Sequence, residues 1–67
     1  MGNLINTKIF EGYMKEHNLS KNKFCKLCRI SPSVLKKIMN HQNNFYIIAL
    51  FRIARVIGIE VYQMYED

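Results

Sequence analysis

The sequence predicts an all-α domain built from five short helices. Apolar residues recur at the three- and four-residue intervals of an amphipathic helix through most of the 67-residue chain. One proline and three glycines are too few for a turn-rich β-sandwich, and capping residues divide the apolar pattern into segments. A chain of this length forms one domain, so we expect residues 1–67 to make a single unit with a thin stability margin.

The first two helices are delimited by residues that favour helix ends. Helix 1 is predicted over about 7–17, with Asn6 or Thr7 as its N-cap and Asn18 as the left-handed residue that follows it. Ser20 is predicted to cap helix 2, which is about nine residues long. The residues assigned to the buried side of helix 2 are Phe24, Cys25, Leu27 and Cys28.

The third helix has the clearest signals, because Ser31 is a good N-cap and Pro32 suits the first helical position. It is predicted to fade at Asn40, before a polar loop over 41–44. Helical spacing gives this segment two faces. The apolar face holds Val34, Leu35 and Ile38, and the polar face holds Ser33, Lys36, Lys37 and Asn40.

The fourth helix, predicted over about 45–57, carries an apolar face wider than one contact requires. We expect it to be the central packing helix and to leave apolar surface for a dimer. Gly58 is predicted to stop it, and Glu60 to cap a fifth helix of one or two turns. The aromatic residues near this end of the chain are assigned to core or dimer surface rather than to stacking on a nucleic-acid strand.

Charge is distributed unevenly along the chain, whose net charge is +5. All five acidic residues lie near the ends, whereas residues 18–58 contain eight Lys or Arg residues and no Asp or Glu, a formal charge of +8. Such a segment repels itself, which indicates a polyanionic partner, most often nucleic acid. The alternative is a face that serves only solubility.

Several other classes of protein are disfavoured. No apolar run reaches the roughly 18 residues of a membrane span, and no secretory signal is present, so we expect a cytoplasmic protein with reduced cysteines. Cys25 and Cys28 have the CxxC spacing of zinc and redox sites, but both fall on the buried side of helix 2. With only two histidines and no catalytic motif, we expect neither an enzyme nor a metal, cofactor or small-molecule ligand.

Helices 2 and 3, over about 20–40, have the lengths and short connection of a helix-turn-helix. The pattern of apolar and small residues resembles that of the Cro/phage-repressor (XRE-type) domains over about 10–65. The positions of this pattern are occupied by Leu19, Ser20, Phe24, Cys25, Ile30, Ser31, Leu35, Ile38, Asn40, Leu50, Ala54, Ile57, Gly58, Ile59 and Met64. The chain departs from the family pattern at Cys25, where Ala is usual, at Arg29, where Gly is usual, and at 39–41.

The resemblance implies a five-helix, lambda-repressor-like DNA-binding domain whose third helix enters the major groove of DNA. It assigns contacts with base edges to Pro32, Ser33, Lys36 and Lys37, although Lys36 lies where it can also reach the backbone. It assigns contacts with phosphates to Ser20, Lys21, Asn40, His41, Asn43 and Asn44, with Asn40 also placed near the bases. Arg29 is the main departure, because a non-glycine residue at positive φ costs about 1 kcal/mol. Either the turn avoids that conformation, or Arg29 recoups the cost by contacting a phosphate.

The functional prediction is therefore a small cytoplasmic transcription regulator, a repressor that occupies a palindromic double-stranded operator as a homodimer. The rival interpretation is a helical protein-interaction module, such as an antitoxin or adaptor. In that case the apolar face of helix 4 is the binding surface and the basic patch faces an acidic protein.

Overall fold

The computed structural model describes residues 4–65, so residues 1–3 and 66–67 of the predicted domain lie outside the described residues. Four α-helices and one 3-10 helix follow one another along this range, which confirms the all-α class. They are α1 (Lys8–Glu16), α2 (Lys21–Cys28), α3 (Pro32–Met39), α4 (Ile47–Ile57) and the 3-10 helix Val61–Met64.

Serine side chains cap α2 and α3 as their sequence positions predict. The Ser20 Oγ accepts a hydrogen bond from the Lys23 backbone N–H at 3.2 Å, and the Ser31 Oγ accepts one from the Val34 N–H at 3.2 Å. Each bond satisfies a donor that the first helical turn leaves without a backbone partner. Pro32 occupies the first turn of α3, where its missing N–H costs nothing.

At the start of α1, the N-cap position and the capping hydrogen bond belong to different residues. Thr7 is the N-cap by position, but its side chain makes no capping bond, and the Asn6 Oδ1 instead accepts from the Lys8 N–H at 3.2 Å. Helix ends behave as predicted at Asn18 and Gly58, which adopt φ values of 55° and 88°. Asparagine and glycine are the residues that tolerate this left-handed region best.

The core lies where α2, α3, α4 and the 3-10 helix meet, with α1 adding one side. Helix α2 packs against both α3 and α4, and α4 packs against the 3-10 helix. Leu50 and Ile53 of α4 are fully buried, which makes α4 the central helix, as predicted. The other side chains below 3% exposure are Phe10, Phe24, Cys25, Cys28, Leu35, Ile38 and Met64.

Leu27 was assigned to the buried side of α2, and this prediction is wrong, because the side chain is 52% exposed. The helix turns by about 100° per residue, so the buried face defined by Phe24, Cys25 and Cys28 leaves Leu27 on its flank. The buried face of α2 is therefore narrower than the number of apolar residues in the segment suggests.

The fourth and fifth helices also differ from their predicted form. Helix α4 begins at Ile47 rather than near Phe45, because Tyr46 has extended backbone angles and serves as the N-cap. The predicted fifth helix is a four-residue 3-10 helix. Its last turn gives way to extended Tyr65, which forms an isolated antiparallel bridge with Ile5. This bridge joins the two ends of the described chain.

Across residues 4–65, no helix combines the length and the apolar character that crossing a membrane would require.

Candidate nucleic-acid interface

Helix α3 separates its apolar and polar side chains as its sequence predicts. Leu35 and Ile38 are at most 2% exposed and pack into the core. On the opposite side, Pro32, Ser33, Lys36 and Asn40 are exposed. The buried residues fix the rotation of the helix about its axis, so the polar residues form an outward-facing row.

A cleft of about 320 Å³ joins this row to the start of α2. Lys21 and Asn22 line its α2 side, while Pro32, Lys36 and Asn40 line its α3 side. Its floor is apolar and consists of Cys25, Leu35 and Met39. The cleft thus brings together two of the predicted base-contacting residues and two of the predicted phosphate-contacting ones. Asn22 was missed by sequence reasoning, although its position next to Lys21 at the start of a helix was a usable signal.

Lys37 differs from Lys36 in its surroundings. Its side chain is partly buried, and its Nζ donates a hydrogen bond of 3.4 Å to the backbone carbonyl of Asn44. This contact ties α3 to the loop that follows it. The Lys36 side chain is exposed and makes no hydrogen bond within the part of the chain that the structure describes. Of the two ammonium groups, that of Lys36 is the freer to meet a ligand.

The serine hydroxyls near the cleft already have partners within the protein. The Oγ of Ser20 is the acceptor of the α2 cap, so its role in the structure is local. The Oγ atoms of Ser31 and Ser33 lie 3.1 Å apart and share a hydrogen bond. Ser33 remains exposed and can rotate its hydroxyl toward a ligand, whereas Ser31 is held by the cap of α3.

The loop after α3 faces another part of the surface. His41 and Asn43 line a small cleft of about 90 Å³ with Phe45 and residues from both ends of the described chain. Asn44 lies outside that cleft and contributes its carbonyl to Lys37. His41 adopts a φ of 60° and ends the helical segment. The predicted phosphate contacts therefore fall into two groups, with Lys21 and Asn40 at the α3 cleft and the loop residues apart from it.

The turn between α2 and α3 contains the strained residue that the sequence suggests. Arg29 has φ 59° and ψ 43°, so the turn does not avoid the left-handed region. Its carbonyl oxygen accepts a hydrogen bond of 2.7 Å from the Nη1 of Arg52 on α4. The conformation costs about 1 kcal/mol for a residue with a Cβ atom. The hydrogen bond from Arg52 is a tertiary contact that holds the turn in this shape.

Cys25 and Cys28 are free thiols that pack in the core. Burial raises the pKa of both thiols, and for Cys28 burial together with the nearby Cys25 raises the pKa to about 12. Both thiols are therefore protonated near neutral pH and pack as small apolar groups. In the described range no three His, Cys, Asp or Glu side chains come together in a group that could hold a metal ion.

Comparison of the chain with protein-family models, with curated proteins and with solved structures gives no match. The resemblance to the Cro/phage-repressor domains consequently depends on the residue pattern, and the candidate interface depends on the geometry described above.

Proposed function

We propose that this protein binds double-stranded DNA in a sequence-specific manner and acts as a small transcription regulator, a repressor. The observation that carries the proposal is the outward-facing polar row of α3, which continues across a cleft to Lys21 at the start of α2. The row is backed by buried Leu35 and Ile38, so it projects from a fixed surface. A rigid, cationic helix face of this kind is suited to the major groove.

In this proposal, α2 and α3 form the helix-turn-helix of a lambda-repressor-like domain of the XRE type. The local chemistry supports the assignment, because the two serine caps and Pro32 start the helices at the positions that the motif requires. Arg29 in the left-handed region supports it as well, since this is the turn position where the family pattern has glycine.

The cleft residues divide into base and phosphate contacts by position. Pro32, Ser33 and Lys36 lie in the first two turns of α3 and are proposed to meet base edges. Lys21 and Asn40 flank them and are proposed to bind phosphates. Lys37 acts at the edge of the groove, because its Nζ is engaged with the loop carbonyl of Asn44. Contacts with the DNA backbone are also proposed for Ser20, His41, Asn43 and Asn44. The three loop residues among them are proposed to meet phosphates further along the duplex.

A homodimer completes the proposal. Helix α4 exposes Ile47, Ile48 and Phe51, each more than half exposed, and such a surface favours association with a second copy. A two-fold dimer carries two copies of α3, which read a palindromic operator. The regulator then represses by blocking access of the transcription machinery to DNA in the cytoplasm.

The proposal is tested by measuring duplex-DNA affinity as a function of salt concentration. Each lysine that neutralises a phosphate contributes about 0.9 to the slope of log K against log salt. The double variant Lys21→Gln/Lys36→Gln is expected to lose up to about two units of slope and to bind more weakly. The matched control Lys8→Gln/Lys15→Gln removes two exposed charges from α1 and should leave the slope almost unchanged. Binding that is absent, or equally weakened in both variants, contradicts the proposal.

A protein-interaction module is the second candidate, and the exposed apolar side chains of α4 favour it. Ile48 and Phe51 lie on the same exposed face as Arg52 and Arg55, a combination suited to an acidic, apolar helix of another protein. This candidate predicts that Phe51→Ser abolishes association with the partner while Lys21→Gln/Lys36→Gln has little effect. The DNA-binding candidate predicts the opposite for operator binding. At concentrations where the protein is dimeric, Lys21→Gln/Lys36→Gln should weaken binding more than Phe51→Ser does.

A further inference from the structure

A second cleft, larger than that on α3, lies between the end of α2 and the second half of α4. Its volume is about 600 Å³, and its lining residues are Leu27, Cys28, Arg29, Arg52, Arg55 and Val56. None of them lines the α3 cleft. The site is therefore a separate surface from the proposed DNA-reading face.

Three arginines surround this cleft, and each is exposed. Arg52 and Arg55 are three residues apart on α4 and so lie on one face, while Arg29 approaches from the turn before α3. Within the 4–65 range, no carboxylate lines the cleft, and none of the three arginines forms an ion pair with another residue. Three like charges around one concavity repel each other, and a bound anion removes that cost.

The arrangement is also held in place before any ligand arrives. The 2.7 Å hydrogen bond from the Arg52 Nη1 to the Arg29 carbonyl links the two sides of the cleft. The Arg52 guanidinium keeps further N–H donors for a ligand, since the group has five. Three non-glycine residues between 4 and 65 have positive φ, and of these Asn18 and His41 belong to types that tolerate it, whereas Arg29 does not. Such strain concentrates at functional sites.

We propose that the cleft between α2 and α4 binds phosphate groups, and specifically a ligand with two or more neighbouring phosphates. Planar guanidinium groups match phosphate oxygens in a bidentate manner, and three of them suit more than one phosphate. The ligand is either a free phosphorylated compound, whose organic part meets Leu27 and Val56, or successive phosphates of a nucleic-acid backbone. The proposal goes beyond the DNA-reading role of α3 and revises the expectation that no small molecule binds.

The test uses inorganic pyrophosphate and the full chain without DNA. Two-dimensional NMR follows the backbone amides and the arginine Nε–H groups during a titration at constant ionic strength, with chloride replaced by pyrophosphate. Saturable shifts centred on Arg29, Arg52 and Arg55 are the expected result. Shifts that do not saturate, or that spread evenly over the lysines, overturn the proposal because they indicate general ion screening.

Two variants separate loss of the site from loss of the fold. Arg52→Gln/Arg55→Gln should weaken pyrophosphate binding by roughly tenfold or more, because charge-assisted hydrogen bonds are lost. Arg29→Gly should also weaken binding, and it relieves backbone strain, so unfolding cannot explain its effect. The control Lys8→Gln/Lys15→Gln should bind as the unaltered protein does. Unchanged affinity in both arginine variants overturns the proposal.

A DNA arm distinguishes the two sources of phosphate. If the cleft holds backbone phosphates, Arg52→Gln/Arg55→Gln lowers the salt slope of DNA binding by up to about two units. If the ligand is a free compound, the same variant keeps the salt slope of the unaltered protein but loses pyrophosphate binding. Either result supports the phosphate site, and pyrophosphate binding remains informative even if the protein does not bind DNA. Absence of saturable pyrophosphate binding contradicts the phosphate site whatever the salt slope shows, and it leaves the proposed DNA-reading role of α3 unaffected.

Discussion

Arg29 combines an unfavourable backbone conformation with an exposed charged side chain. Its left-handed backbone is the conformation that the turn between α2 and α3 requires, and glycine adopts it without steric cost. Arginine brings a guanidinium group to the edge of a cleft that already holds Arg52 and Arg55. Compared with glycine, arginine lowers the stability of the turn and adds a positive charge at the cleft.

Because arginine is strained in this conformation and glycine is not, Arg29→Gly is expected to stabilise the protein. The expected gain is about 1 kcal/mol in the free energy of unfolding, because the Cβ clash of the left-handed region disappears. For a domain of 60–100 residues, that gain raises Tm by roughly 4–8 °C in calorimetry or thermal circular dichroism. Asn18→Gly is the matched control and should gain less, since asparagine tolerates φ 55° better than arginine tolerates φ 59°. A lower Tm for Arg29→Gly than for the unaltered protein would show that the side chain stabilises the turn.

At the scale of the helices, sequence predicts best where a helix end is determined by a side chain beside it. Helix α3 begins at Pro32 as expected, because the Ser31 hydroxyl caps it within three residues. Helix α4 begins two residues later than expected, because the apolar Phe45 and Tyr46 extend the helical pattern without providing a cap. The final segment pairs through Tyr65 with Ile5, a contact between chain ends that local sequence does not encode.

Two similar substitutions beside helix starts are expected to differ in their cost to stability. Ser31→Ala removes the acceptor of the 3.2 Å bond from Val34 and should lower the free energy of unfolding by about 1 kcal/mol. Thr7→Ala should cost clearly less, because the Thr7 side chain makes no capping bond in α1. Chemical denaturation of both variants measures the difference. Equal losses would mean that the Ser31 cap contributes nothing specific to α3.

The candidate site was predictable only where it depends on local sequence. Helical spacing alone places Ser33, Lys36 and Asn40 on one face of α3, and the structure finds these three exposed. Spacing did not reveal that Lys37 reaches the carbonyl of Asn44, because that contact depends on the path of the loop. The three-arginine cleft was also beyond local pattern, since Arg29 and Arg52 are 23 residues apart in the chain and meet only after α2 packs on α4.

At the scale of the whole molecule, the chain leaves two kinds of surface uncovered. One is the cationic surface of the carboxylate-free segment 18–58, which includes the outer row of α3. The other is the apolar side of α4, where Phe51 is 57% exposed. The first is the surface proposed to meet a polyphosphate and the second the surface proposed to meet another copy of the chain, as in the proposed dimer on DNA.

The central claim is that α3 reads DNA sequence from a two-fold dimer. Selection of bound sequences from random duplex DNA tests it most directly, because one measurement reports binding, specificity and symmetry. We expect an enriched palindromic motif whose half-sites are centred about 10 base pairs apart, and we expect Lys36→Ala to weaken the enrichment. A bound pool with no enriched motif, from protein that is folded and at a concentration where it is dimeric, would contradict the claim.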